Sequence, residues 1–187
     1  FLLQGGKRKS SFLRSPNKEK LLKKTSIKLP EKEKLIELEK LAKNQGSGIE
    51  YDSLIGDWKF FSLWKKDIDE ENPIFSSLLR VFSANIEFKK DFSAESSPDF
   101  HVSASIRFGL FTIAFSGSGC LKGKQPLLVF FLNLIELKSA SNTLFSKSLK
   151  ETNENEQSFF ALIALEENGN CLSARGHGGG IVIWLRD

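Results

Sequence analysis

From Asn85 to Arg186 the chain is written in short alternations of apolar and polar residues, and this period of two most restricts what it can fold into. In Phe100 to Phe108, Val102, Ala104, Ile106 and Phe108 occupy one face, while His101, Ser103, Ser105 and Arg107 occupy the other. Successive side chains of a strand point to opposite sides, so such a segment buries one face and wets the other. Leu110 to Ser116 repeats the pattern through Phe111, Ile113 and Phe115. Asn85 to Phe92 precedes these segments, and Leu127 to Leu137, Thr143 to Leu149, Phe159 to Leu165, Cys171 to Arg175 and Ile181 to Arg186 follow them. Gly117, Gly119, Gly123 and Asn168-Gly169-Asn170 read as turns between strands. About eight strands joined by hairpin-like loops predict a mainly β domain, either sandwich or up-and-down barrel, and argue against alternating strand and helix units.

Two helices are expected around the strands. Leu35, Leu38 and Leu41, with Ile36 and Ala42, recur at helical spacing in Glu31 to Lys43, among Glu and Lys residues that read as a solvated face. Tyr51 to Trp58 then reads as a turn feeding a first strand through Phe60-Phe61 and Leu63-Trp64. Beyond it, Asn72-Pro73 supplies a cap and a first-turn proline, and Ile74, Phe75, Leu78, Leu79 and Phe82 predict a short amphipathic helix.

Charge divides the chain. Residues 1–30 hold nine of the 27 Lys and Arg but only one of the 23 Asp and Glu. They read as a basic, disordered leader or linker, and residues 31–187 as a single helix-plus-barrel domain. Such a leader suits phosphates, of nucleic acid or of anionic lipid headgroups, with no specific nucleic acid called for. The longest apolar run, Pro126 to Ile135, is broken by Asn133 and falls well short of the roughly 20 residues of a membrane-spanning helix, which predicts a soluble or peripheral protein. Seventeen Phe, with one Tyr and no Met, make the interior rigid and wholly apolar, suited either to dense packing or to an oily pocket.

Local signals favour the barrel. Gly56-Asp57-Trp58 has the Gly-x-Trp form found at the start of lipocalin-type barrels, where an indole floors the closed end and glycine lets the chain cross beneath it. A late-strand cation commonly stacks on such a Trp, and Arg175 and Arg186 are both placed to do so. Together, Leu54 to Trp58, Phe115 to Lys122 and Leu172 to Leu185 resemble the plastid lipid-associated protein family, also called plastid fibrillins, over roughly residues 32–187. In that family a short helix precedes the Gly-x-Trp strand, and the chain closes with an Arg-Gly turn and an apolar strand. Arg175-Gly176 and Ile181 to Leu185 fit this ending, whereas His177 and three glycines stand where many members carry an acidic residue. The resemblance implies a lipocalin-like antiparallel β-barrel in a plastid (chloroplast thylakoid or stroma) or a cyanobacterium. It also implies binding or organisation of lipids, isoprenoids or carotenoids in photosynthesis.

The candidate pocket comprises Trp58, Phe60, Val102, Ile106, Phe108, Phe111, Ile113, Phe115, Phe130 and Phe160, with Arg175 and His177 as a polar rim for a headgroup. These apolar residues suit either a cavity or a solid core. No catalytic set is expected: His101 lies on a polar strand face, His177 in a glycine loop, and Ser116-Gly117-Ser118-Gly119 between strands rather than at a strand-to-helix turn. Gly176 to Gly180 precedes a strand, so it reads as a hairpin and not as a phosphate loop. Cys120 and Cys171 have no ligand-spaced partners, and neither metal nor cofactor is expected. The expected function is therefore non-catalytic binding of a hydrophobic small molecule or lipid; the alternative is a peripheral subunit or assembly factor of a thylakoid membrane complex, gripping a membrane surface or its subunits.

Overall fold

A computed structural model describes residues 30–67, 69–91, 99–150, 157–166 and 168–187. The expected leader, apart from Pro30, and Phe92 lie outside these residues. Helix α1 (Lys32–Gln45) and a single turn α2 (Tyr51–Leu54) precede strand β1 (Gly56–Trp64), and helix α3 (Pro73–Val81) follows it. Then come β2 (Asn85–Asp91), β3 (Asp99–Phe108), β4 (Phe111–Lys122), β5 (Leu127–Ser139), β6 (Asn142–Ser148), β7 (Ser158–Glu166), β8 (Cys171–Gly176) and β9 (Ile181–Arg186).

All strand pairs are antiparallel, in the order β4-β3-β2-β1-β9-β8-β7-β5-β6, and β4 also pairs with β5. Eight strands thus close a ring, and β6 hangs outside it. The expected mainly β barrel is the observed fold. Closure removes exposed sheet edges from the ring, but it is brief on one side: β5 meets β7 only through Leu127 to Phe130, then turns to β6 through Leu134 to Ser139. The far halves of β4 and β5, with β6, therefore project as a flap beyond the ring.

Gly117 and Gly119 lie within β4 instead of marking turns. The pairing of β4 with β5 shifts between Ser116 and Gly117, and a Cβ on Gly117 would lie 2.0 Å from the Phe131 carbonyl oxygen. Glycine here admits a bulge and close backbone approach, which in sequence looks the same as a turn.

Two apolar clusters sit on opposite sides of the sheet. Inside the ring, Trp58, Phe60, Phe88, Phe100, Val102, Leu128, Phe130, Leu162, Leu172 and Trp184 pack together. Outside it, α1 lays Leu35 and Leu38 onto Phe61, Ile163, Cys171, Ile181 and Ile183. The charged face of α1 is not wholly solvated, because Glu39 is buried. Its carboxylate takes two 2.6 Å hydrogen bonds from Arg175 and faces Lys43 at 2.9 Å. Burial by itself raises the Glu39 pKa, but hydrogen bonds from Arg175 and Lys43 and their charges together hold it below the ordinary carboxylate value.

Helix α3 is amphipathic but turns only part of its apolar side to the barrel, through Leu79 and Phe82. Asn72 caps it by accepting from the Phe75 N–H, as expected. Yet Ile74, Phe75, Leu78 and Val81 face solvent, while Ser76 is fully buried. The reason lies in β1, whose pairing with β2 stops at Lys59 and whose register with β9 slips between Phe60 and Ser62. The freed β1 backbone groups need partners. Ser76 Oγ accepts the Leu63 N–H at 2.9 Å, and Arg80 donates to the Phe61 carbonyl at 2.6 Å. Ser76 and Arg80 therefore face the barrel together with the partly buried Leu79, which packs against the inner core, while Ile74, Phe75, Leu78 and Val81 face out.

Candidate functional site

The two ends of the barrel differ in how they close. At one end Trp58 is fully buried and donates its indole N–H to the Leu54 carbonyl at 2.8 Å. Tyr51 stacks on Phe100 at 4.3 Å between centroids, and Phe88 meets Phe100 edge-on at 5.6 Å. Of the two candidate cations it is Arg186 that covers the indole, its guanidinium carbon 4.2 Å from the ring centroid. The same guanidinium donates to the Ile55, Ser53 and Gly169 carbonyls at 2.7, 2.6 and 2.9 Å. Gly56 (φ +130°) makes room for it: a Cβ there would stand 2.9 Å from Arg186 Nη1. The Gly-x-Trp signature is thus a plug built from Trp58, Arg186 and a short helical turn.

The opposite end is open. Alternation carries Ile106 and Phe108 of β3 on the same face as buried Phe100 and Val102, and register places Ile113 and Phe111 of β4 opposite them. Phe115, opposite Ala104, shares this inner face, as do Ile135 and Leu137 of β5. None of these seven is fully covered, because the ring ends below them and, among the described residues, no strand stands across from the flap. Between β1, β8 and β9 the mouth forms a cleft of about 320 Å³ on Leu63 and Val182, bordered by Trp64, Lys65, Lys66, Asn72 and the glycines 176, 178 and 180. The aliphatic stem of Lys66 lies over Gly179.

Of the predicted pocket residues, Trp58, Phe60, Val102 and Phe130 belong to the packed core. Phe160 joins them, 5.2 Å from Phe130 and 4.9 Å from Trp184 between centroids. Ile106, Phe108, Phe111, Ile113 and Phe115 are the ones that line the open face. The polar rim predicted from Arg175 and His177 is not a pair. Arg175 is drawn to the outer side by Glu39, Asp69 and the Gly179 carbonyl, while His177 lies against Phe159 at 4.9 Å. Strand alternation explains this: inward Ala174 puts Arg175 outward. Lys65, Lys66 and Asn72 border the mouth instead, and the sequence carried no signal for them because they lie on an irregular connection.

Large apolar side chains are also exposed around the open end. Nine large hydrophobic side chains are exposed among the described residues. Eight of them, Ile74, Phe75, Leu78, Val81, Leu110, Phe111, Leu144 and Phe145, fall on α3, the β3–β4 tip and β6. These elements touch one another. The Arg107 N–H donates to the Phe82 carbonyl at 2.6 Å, Phe82 meets Phe108 at 6.3 Å, and the Ala140 N–H donates to the Leu110 carbonyl at 3.1 Å. Phe145 lies opposite Leu137.

No cluster of His, Cys, Asp and Glu able to hold a metal ion occurs among the described residues, and Cys120 and Cys171 are not joined in a disulfide. Neither a protein-family model, nor a curated protein, nor a solved structure matches the chain.

Proposed function

We propose that the protein is a non-catalytic binder of a hydrophobic small molecule, a lipid, isoprenoid or carotenoid, which lies in the open end of the barrel. One observation carries this reading. Inner-face residues such as Ile106, Ile113 and Phe115 remain partly open to solvent, whereas residues of the same face one or two steps down the strand are fully buried. Covering a side chain of this size contributes about 1.5–3 kcal/mol, so a ligand bridging several of them gains a substantial driving force. The mouth cleft adds an apolar floor with a few polar groups at its edge, a combination suited to orienting an amphiphile. Association with photosynthetic membranes, in a plastid or a cyanobacterium, is part of the same proposal and rests on the resemblance described above.

Native mass spectrometry of the protein purified from a photosynthetic host, with extraction of lipid and pigment, tests the proposal. The expected result is a stoichiometric apolar ligand, lost when Ile113 and Phe115 are both replaced by Ser. A ligand-free protein recovered with membrane-complex subunits would instead favour the second reading, a peripheral subunit or assembly factor. The outward apolar face of α3 supports that reading.

A further inference from the structure

We infer that the ligand is an anionic amphiphile, whose carboxylate or phosphate head lies in the mouth cleft against Lys65, Lys66 and Asn72 while its tail lies on the open inner face. The inference rests on the binding function proposed above and narrows it, because it ranks a charged lipid over a neutral carotenoid or alcohol. The connection between β1 and α3 carries Lys65, Lys66, Asp67, Asp69, Glu70 and Glu71, and the fold sorts these charges. Asp69, Glu70 and Glu71 line a separate cleft on the outer side, with Phe61 and Ile183. Lys65 and Lys66 border the mouth cleft, and among the described residues no carboxylate does. The backbone holds this arrangement as a hairpin. The Lys65 N–H donates to the Glu70 carbonyl at 2.7 Å, Trp64 bridges to Glu71, and the Asn72 N–H donates to the Leu63 carbonyl at 2.7 Å.

Two of the acids are also committed, Asp69 to Arg175 and Glu71 to Arg80. Lys65 and Lys66 are exposed and have no ion-pair partner among the described residues. Asn72 spends its Oδ1 on the Phe75 N–H, which leaves its Nδ2 donors without a partner among the described residues. Two ammonium groups and an amide donor, with no carboxylate beside them, favour an anion that accepts hydrogen bonds from all three. The floor of the cleft supplies the other half of the match. Leu63 and Val182 pack against the inner core, so a head held at the rim keeps its tail on the apolar side. Gly176, Gly178 and Gly180 form the rest of the border without side chains that would fill it, and the volume of about 320 Å³ accommodates a carboxylate or a phosphate.

Isothermal titration calorimetry of the full chain with dodecanoate, dodecyl phosphate and dodecanol, which share one tail and differ in the head, tests this. At least one of the two anions should bind about tenfold more tightly than dodecanol, with a preference that shrinks as salt is added. Tighter dodecanoate assigns a carboxylate head, and tighter dodecyl phosphate assigns a phosphate. Lys65→Gln combined with Lys66→Gln should bring the preferred anion to within about threefold of dodecanol while leaving dodecanol itself unchanged. Lys122→Gln combined with Lys124→Gln, exposed at the plugged end, should alter none of the three. Ile113→Ser combined with Phe115→Ser should weaken all three, which reads the tail separately from the head. Circular dichroism confirms that each variant folds. Equal binding of the three ligands by the wild type, or an anion preference that survives replacement of Lys65 and Lys66, would overturn the inference and leave the binding function standing. Failure of all three to bind would overturn both.

Discussion

Phe100 and Phe108 stand on one strand and point to one face, eight residues apart, yet they meet different surroundings. Phe100 is fully buried between Tyr51 and Phe88, under a turn of helix and the Trp58–Arg186 plug. Phe108 meets Phe82 and Phe111 and stays partly open. The strand is equally regular at both ends, so the difference comes from what stands across the ring. At the plugged end eight strands surround a packed interior; at the open end β5 has parted from β7 and the inner face looks outward. An apolar residue facing inward in a barrel is therefore a core residue only where the ring closes over it. Where it does not, the same side chain is available to a ligand.

The sharpest way to break this comparison is Trp58→Ala. Removing a fully buried core aromatic should cost about 3–5 kcal/mol, read by chemical denaturation. A cost below about 1 kcal/mol would mean that the plugged end is not a close-packed core. Next in size is Glu39→Gln on the outer clamp, expected to cost about 1.5–3 kcal/mol near neutral pH because Arg175 loses one of its two carboxylate partners and keeps Asp69. The folded pKa of Glu39 lies below its unfolded value, so its stabilisation is complete above the unfolded carboxylate range and is lost as pH falls through the folded value. The gap between wild type and variant should therefore narrow in acid, and a gap constant with pH would show that the ion pair is not its source.

Smaller effects separate the two ends further. Phe115→Ala on the open inner face should cost less than about 1.5 kcal/mol while weakening binding of an apolar fluorescent probe. A cost equal to that at Trp58 would place Phe115 in a closed core. Phe75→Ser, on the exposed side of α3, should leave stability within about 0.5 kcal/mol of wild type, measured by thermal unfolding.

The fold was legible because alternation is a local signal. β3 and β9 emerge within a residue of where the period of two places them. The Gly56-Asp57-Trp58 triplet located the barrel floor, and one of the two candidate arginines covers it. What stayed hidden depends on contacts distant in sequence. The burial of Glu39 needs Arg175, 136 residues away. The outward turn of α3 follows from a register slip in β1 that leaves backbone groups for Ser76 and Arg80 to satisfy. Apolar alternation groups Val102 with Ile106 and cannot show that the ring shuts over one and not the other.

Hydrogen exchange of the protein with and without all-trans-retinol, an isoprenoid probe, tests the division between the two ends most directly. The account predicts added protection in residues 104–117 and 132–137, with the strand around Trp58 and the Tyr51–Leu54 turn unchanged. Protection appearing around Trp58 and Phe100, or nowhere in the barrel, would contradict it.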